Sequence, residues 1–205
     1  MSDRSAGPTL FQAFLKRGFD IVFALGGLLI LGWLIPLTAL VAWVDTGKSG
    51  FFVQERVGYR GRIFNVIKIR TMRPINGMDT TVTRESDPRI TVLGGIMRRM
   101  KLDELPQLIN VLIGDMSFVG PRPDVPGYAD KLTGRERVIL NVRPGITGPA
   151  TLKYRDEEML LCKVSDPERY NAEVVFPDKV RINRAYVENY TFLGDIRYIF
   201  WTVFR

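Results

Sequence analysis

The chain contains no histidine. That absence removes Ser-His and Cys-His nucleophile pairs and histidine-ligated zinc, leaving carboxylates, Lys, Arg and hydroxyls to carry any chemistry. Cysteine is almost as scarce. Cys162 stands alone, so neither an internal disulfide nor a thiolate cluster for a metal can form, and a reducing, cytoplasmic setting is the simplest reading. Acidic charge is in deficit, with 22 Asp and Glu against 29 Lys and Arg. The net charge of +7 suits a polyanion, whether nucleic acid, anionic lipid or a phosphate-bearing substrate, and does not choose among them. At 205 residues the chain has room for one domain with a real core, and not for two domains plus a membrane segment.

Charge is also missing from one long stretch, IVFALGGLLILGWLIPLTALVAWV, from Ile21 to Val44. As a straight helix it would run about 36 Å, enough to span a bilayer. It is too long for a signal h-region and no small-residue cleavage site follows, so it is expected to stay in the mature protein. Pro36 deletes one helical hydrogen bond, leaves the Gly32 carbonyl without its usual partner and predicts a bend. Both flanks are basic, with Lys16 and Arg17 before the run and Lys48, Arg56, Arg60 and Arg62 after it. Since positive flanks favour the cytoplasm, they point to a helix-break-helix hairpin that enters and leaves on one face. A kinked transmembrane helix satisfies the same residues. Lys16 and Asp20, four residues apart, are expected to pair. In the C-terminal TFLGDIRYIFWTVFR, Phe192, Ile196, Ile199, Phe200 and Val203 fall at helical spacing. An interfacial helix anchored by Tyr198 and Trp201 and a core helix both fit.

Phe51 to Glu55 and Arg62 to Arg70 read as two short strands around the turn residues Gly58 and Gly61. Lys68 and Arg70 share one face of the second, either as a solvated face or as phosphate-binding groups. Pro74 to Pro88 reads as a polar surface loop. In MKLDELPQLINVLIGDMSFVGPRP, Leu102, Leu105, Leu108, Ile109 and Leu112 make one apolar helix face. Pro106 belongs in a first turn, so the helix is predicted to begin near Leu102 or Asp103. Asp103 and Glu104 then sit at its N-terminus, where the dipole keeps a carboxylate ionised and free N–H groups suit phosphate. Asp is equally a favoured N-cap, and spacing alone leans toward capping. Gly120-Pro121-Arg122-Pro123 and Arg143-Pro144-Gly145-Ile146-Thr147-Gly148-Pro149 are rigid turns that each present an arginine, a geometry suited to bidentate phosphate binding.

Together these segments resemble the monotopic phosphoglycosyl transferases, the bacterial sugar transferase family. KRGFD, QERVGYRGRIFNVIKIRTM, KLDELPQLINVLIGDMSFVGPRP and VRPGITGPA occur in order from about Lys16 to the C-terminus. The resemblance implies an α/β fold, mostly α with a small β-hairpin. Residues 1–46 are expected to hold a re-entrant membrane helix broken at Pro36, and residues 47–205 a cytoplasmic catalytic domain with interfacial amphipathic helices. No further membrane helix precedes Lys16, so the minimal catalytic form is expected. By likeness Asp103 and Glu104 form a catalytic dyad near Mg²⁺, both as candidate metal ligands. Asp103 attacks the β-phosphate of a UDP-sugar, UMP leaves, and undecaprenyl phosphate captures the aspartyl-phosphosugar. A rival scheme has one of the carboxylates act as a general base for direct transfer, and a basic, membrane-tethered adaptor is the non-enzymatic reading. Lys68, Arg70, Arg98, Arg122 and Arg143 are the candidate phosphate ligands, Arg122 and Arg143 foremost because they match the family's turns. The expected partners are a UDP-sugar, undecaprenyl phosphate and membrane lipid, with a homodimer left open and no nucleic acid. The chain departs from the family at Ile35-Pro36, where many members have Ser-Pro. It departs again at PATLKYRDEEM after Gly148, where others carry Trp-Ala-Gln, a region expected to touch the nucleotide-sugar.

Overall fold

A computed structural model describes residues 7–75 and 87–204; most of the loop expected between Pro74 and Pro88 lies outside them. The first helix, α1 (Leu10–Leu31), is started by a reciprocal cap. The Gln12 N–H donates to Thr9 Oγ1 at 3.3 Å, and the Thr9 N–H donates to the Gln12 side chain at 2.8 Å. It continues into α2 (Leu34–Thr46) through a 61° bend. The break falls at Gly32 and Trp33, upstream of Pro36, which sits in the first turn of α2 where a proline lacks only an N–H with no helical use. The Gly32 carbonyl does not go unpaired as expected: it accepts a shorter-range bond from the Ile35 N–H at 3.2 Å. Thr38 supplies a hydroxyl near the break, donating to the Leu34 carbonyl at 2.7 Å. Gly47, at φ 68°, ends α2 in the left-handed conformation that favours glycine.

Next comes an antiparallel hairpin, β1 (Phe51–Val57) and β2 (Ile63–Ile69), in the register Phe51↔Ile69. Then α3 (Val92–Arg99) begins at Thr91, whose hydroxyl accepts the Gly94 N–H at 2.9 Å. A single 3-10 turn, Leu102–Glu104, separates it from α4 (Gln107–Ile113). β3 (Ser117–Val119) pairs in parallel with β4 (Gly145–Thr147), a second sheet that alternation could not reveal in strands of three residues. Its sides meet at glycines: a Cβ on Gly145 would lie 2.1 Å from the Gly120 nitrogen. Five α-helices follow among the described residues: α5 (Pro149–Lys153), α6 (Glu157–Cys162), α7 (Pro167–Tyr170), α8 (Phe176–Glu188) and α9 (Phe192–Phe204), with a π-helical turn at Asn171–Val175 joining α7 to α8. The architecture is α/β, mostly helical with small sheets.

The first helix is bonded into the domain. Its buried residues Lys16, Asp20 and Ala24 form one stripe at a spacing of four. The expected pairing of Lys16 with Asp20 gives way to separate partners. Lys16 Nζ donates to Asp195 on α9 at 2.5 Å and to the Val119 carbonyl at 2.8 Å. Asp20 accepts the Ser117 hydroxyl and the Phe118 N–H, each at 3.0 Å. Tertiary partners satisfy both charges more completely than an i,i+4 pair, which leaves the remaining hydrogen-bonding capacity of each group unused. Ala24 packs with Val66, Val111 and Met116, so α1 lies against α4 and β2. Asp195 also accepts the hydroxyls of Tyr186 at 2.7 Å and Tyr190 at 3.2 Å. Tyr198, expected as a headgroup anchor, packs edge-on against Tyr186 in this core, while Trp201 stays exposed.

Candidate active site

The site is assembled where α3, the 3-10 turn, β2 and the Gly120-Pro123 turn converge. Asp103 and Glu104 lie on the 3-10 turn, and the helix proper starts at Gln107, four or five residues later than expected, with Pro106 at its boundary. Neither the turn nor α4 has a side-chain cap, so Asp103 does not serve as one. What aims it is Lys101, held at φ 57° and ψ 22°, a left-handed backbone that a non-glycine residue adopts at a cost. Asp103 is only 7% exposed, and its Oδ1 is buried with no hydrogen-bond partner. Burial first, then the neighbouring Glu104 charge, raise its carboxyl above the ordinary range, against the pull of Lys68, Arg98 and Lys101. One 3-10 turn carries little dipole to set against this, and the buried carboxylate loses its water, so the shift is upward.

Glu104 behaves oppositely. Burial disfavours its charge, but Arg122 and Lys68 more than compensate and hold the carboxyl down to about 2. Arg122 Nη2 donates to Glu104 Oε1 at 2.5 Å. Burial and the nearby Arg122 cation push Lys68 down to about 8, with Glu104 pulling the other way. Arg56, Lys68, Gln107 and Arg122 line a cleft of about 60 Å³ beside this pair. Next to it Asp124 is pushed up to about 6, by burial against the pull of Lys179 and Arg56.

A family model described as bacterial sugar transferase matches residues 11–205. The chain belongs to this bacterial sugar transferase family. This sugar transferase is 31% identical to an exopolysaccharide production protein of Sinorhizobium fredii, over 92% of this chain and 83% of that protein. It is 34% identical to the UDP-glucose:undecaprenyl-phosphate glucose-1-phosphate transferase of Escherichia coli, over 93% of this chain and 40% of that protein. An undecaprenyl-phosphate glucose phosphotransferase of Komagataeibacter xylinus is 35% identical over 93% of this chain and 35% of its own length.

The candidate phosphate ligands of the sugar transferase divide. Lys68 and Arg122 face the dyad, and Arg98 is near enough for its charge to act on Asp103 while it pairs with Glu158 of α6. Arg70 instead donates to the Ser49 carbonyl at 2.7 Å and lies over the Phe52 ring. Arg143 donates to the Gly114 carbonyl at 2.7 Å. With Arg17, which donates to the Val111 and Leu112 carbonyls at 2.6 and 2.7 Å, it satisfies the C-terminal end of α4. Asn110 was not singled out by its sequence, although an amide within the apolar run LINVLI is a signal in itself. It is buried, accepts the Ile67 N–H at 3.1 Å and donates to the Asn65 carbonyl at 2.8 Å, fixing the strand that carries Lys68 against the helix that follows Asp103. Asp124 also went unremarked, since only the folded chain brings it beside Arg56 and Lys179, and Lys101, two residues before Asp103, carries no sequence signal of its left-handed backbone. No group of three or more His, Cys, Asp or Glu residues poised for a metal occurs among the described residues.

Proposed function

We propose that this sugar transferase moves a sugar phosphate from a UDP-sugar onto undecaprenyl phosphate, releasing UMP and yielding undecaprenyl-diphosphate-sugar, the first membrane step in building a glycoconjugate. The observation that carries the reading is the buried Asp103 carboxylate, with one oxygen unpartnered, among cations inside this family's fold. The donor and acceptor in the names of the relatives support the same substrates.

In the first step an Asp103 oxygen bonds to the phosphorus that carries the sugar. The bond from that phosphorus to the bridging oxygen breaks, and UMP departs with the electron pair. In the second step an oxygen of the lipid phosphate attacks the same phosphorus and the Asp103 carboxylate leaves. Lys68 and Arg122 orient the phosphates, and Arg122 remains close enough to Glu104 to keep that carboxylate ionised. An orphaned buried oxygen beside a second carboxylate is a donor set that Mg²⁺ accepts, so Asp103 and Glu104 would hold the ion, with further oxygens from the donor. Bound there, it would neutralise charge on the pyrophosphate.

The bent α1–α2 pair supports a re-entrant seat in the inner membrane with the catalytic domain toward the cytoplasm. No single described helix is long and apolar enough to cross a membrane, whereas the pair passes the length and composition test together. Large side chains on its surface stand in the open, including Leu29 at 85% and Trp33 at 64% exposure. Such a belt is unusual on a water-facing surface.

Direct transfer in a ternary complex is favoured by the upward shift of Asp103, which suits a proton acceptor. Incubation with labelled UDP-sugar and no lipid separates the two schemes. The covalent route releases one equivalent of UMP and leaves phosphosugar on Asp103, and Asp103→Asn abolishes both with a loss of turnover of about a thousandfold or more. UMP release that requires lipid, with no adduct, overturns the covalent scheme. Normal turnover by Asp103→Asn overturns the enzyme assignment of this residue altogether.

A further inference from the structure

We infer that α6 is a donor-responsive strap, in which Glu158 holds the Arg98 guanidinium until the diphosphate of an arriving nucleotide-sugar takes it over; this rests on the donor reading above. The helix begins at the end of PATLKYRDEEM, the stretch after Gly148 expected to depart from the family pattern. Its packing is slight. Of α6 only Leu161 is buried, and its N-terminal boundary residue, Asp156, makes no side-chain cap. Two ion pairs tie it down instead, Glu157 to Lys179 at 2.6 Å and Glu158 to Arg98. The second reaches across to the catalytic side, because Arg98 lies in the last turn of α3, shortly before Lys101 turns the chain toward Asp103.

Arg98 therefore pairs with the Glu158 carboxylate while its charge also acts on Asp103 and on Asp87. Glu158 is 42% exposed and Arg98 24% exposed, so water screens their pair and its hold is weak. A diphosphate brings more charge and more acceptor oxygens, in an arrangement that matches the guanidinium fork. When it binds beside Asp103 the exchange runs toward the donor. Glu158 is released, and α6 keeps only Glu157 and the Leu161 contact. Glu158 thus competes with the donor, and how readily α6 yields becomes part of how tightly any nucleotide-sugar is held.

The test measures UDP binding in Mg²⁺ buffer by titration calorimetry on the full chain in lipid nanodiscs, with hydrogen exchange followed across residues 157–162. Glu158→Gln is expected to bind UDP about threefold tighter, the effect of removing one screened pair. Glu173→Gln, the same charge change at an exposed pair with Arg169, leaves affinity unaltered. UDP speeds exchange of 157–162 in the parent protein, and Glu158→Gln shows that faster exchange before UDP is added. Equal affinities in all three proteins, or exchange of 157–162 that ignores UDP in the parent, sinks the strap while leaving the donor reading intact. No UDP binding by any of them overturns the donor reading and the strap together.

Discussion

Asp103 and Glu104 are chain neighbours with opposite electrostatics. Glu104 has a guanidinium at 2.5 Å, and Asp103 has burial and a like charge. Two adjacent acids pushed apart in this way can divide the work, one stably ionised and one responsive to whatever enters the site. Their pairing was legible in LDELP; which of them takes the arginine was not, because Arg122 comes from a turn that only folding brings near. Asp124 offers a measurement at this scale. Its carboxyl is raised from 3.8 to about 6, so between those values the folded protein holds a proton that the unfolded chain has released. Stability therefore falls as pH rises through that window, and the penalty is fully present above pH 6. Asp124→Asn removes it and is expected to stabilise the protein at pH 7.5 by about 3 kcal/mol, with almost no gain at pH 4. Thermal melts at the two pH values check this; an equal effect at both would mean that the carboxylate carries no burial penalty.

At the scale of elements, α4 is the hub. Its seven residues are too few to be stable alone, and tertiary bonds hold both ends: Arg17 and Arg143 take its last carbonyls, and Asn110 grips the β2 backbone. The apolar face of α4 was legible from spacing, and the β1–β2 hairpin from its turn residues. The destinations of the two arginines were not, because Arg17 read as a charge flanking the apolar run, and Arg143, beside Pro and Gly, reads equally as a phosphate ligand or as a cap for a distant helix end. Asn110→Ala leaves the Ile67 N–H and the Asn65 carbonyl without partners. The expected cost is about 2–3 kcal/mol, seen as a melting point lower by several degrees. A melt within a degree of the parent would show that the clamp contributes little.

Across the whole molecule, the apolar belt and the polar stripe belong to the same helix. Lys16 and Asp20 bond α1 to β3 and α9, while Phe11, Phe14, Leu29 and Ile30 stand in the open on its other sides. A hairpin that dips into one leaflet and returns keeps residues on both sides of the bend on the cytoplasmic face. In intact cells, with Cys162 replaced by serine, cysteines introduced at Ser2 and at Lys48 are expected to resist a membrane-impermeant maleimide and to react after lysis. Labelling of Ser2→Cys before lysis would show that the segment spans the bilayer.

The sequence by itself determined the chemistry available to this protein, the apolar segment with its proline, the hairpin, and the acidic pair ahead of an apolar helix, because each of these is written in residue type and local spacing. The tertiary structure alone decided which charges meet. Lys16 bonds to a residue near the other end of the chain instead of to Asp20, Arg122 goes to Glu104, Arg143 to a helix end, and the bend lies at Gly32 instead of Pro36. Local periodicity depends on three or four neighbouring residues, whereas the state of a buried charge depends on which distant groups the fold brings to it in place of water.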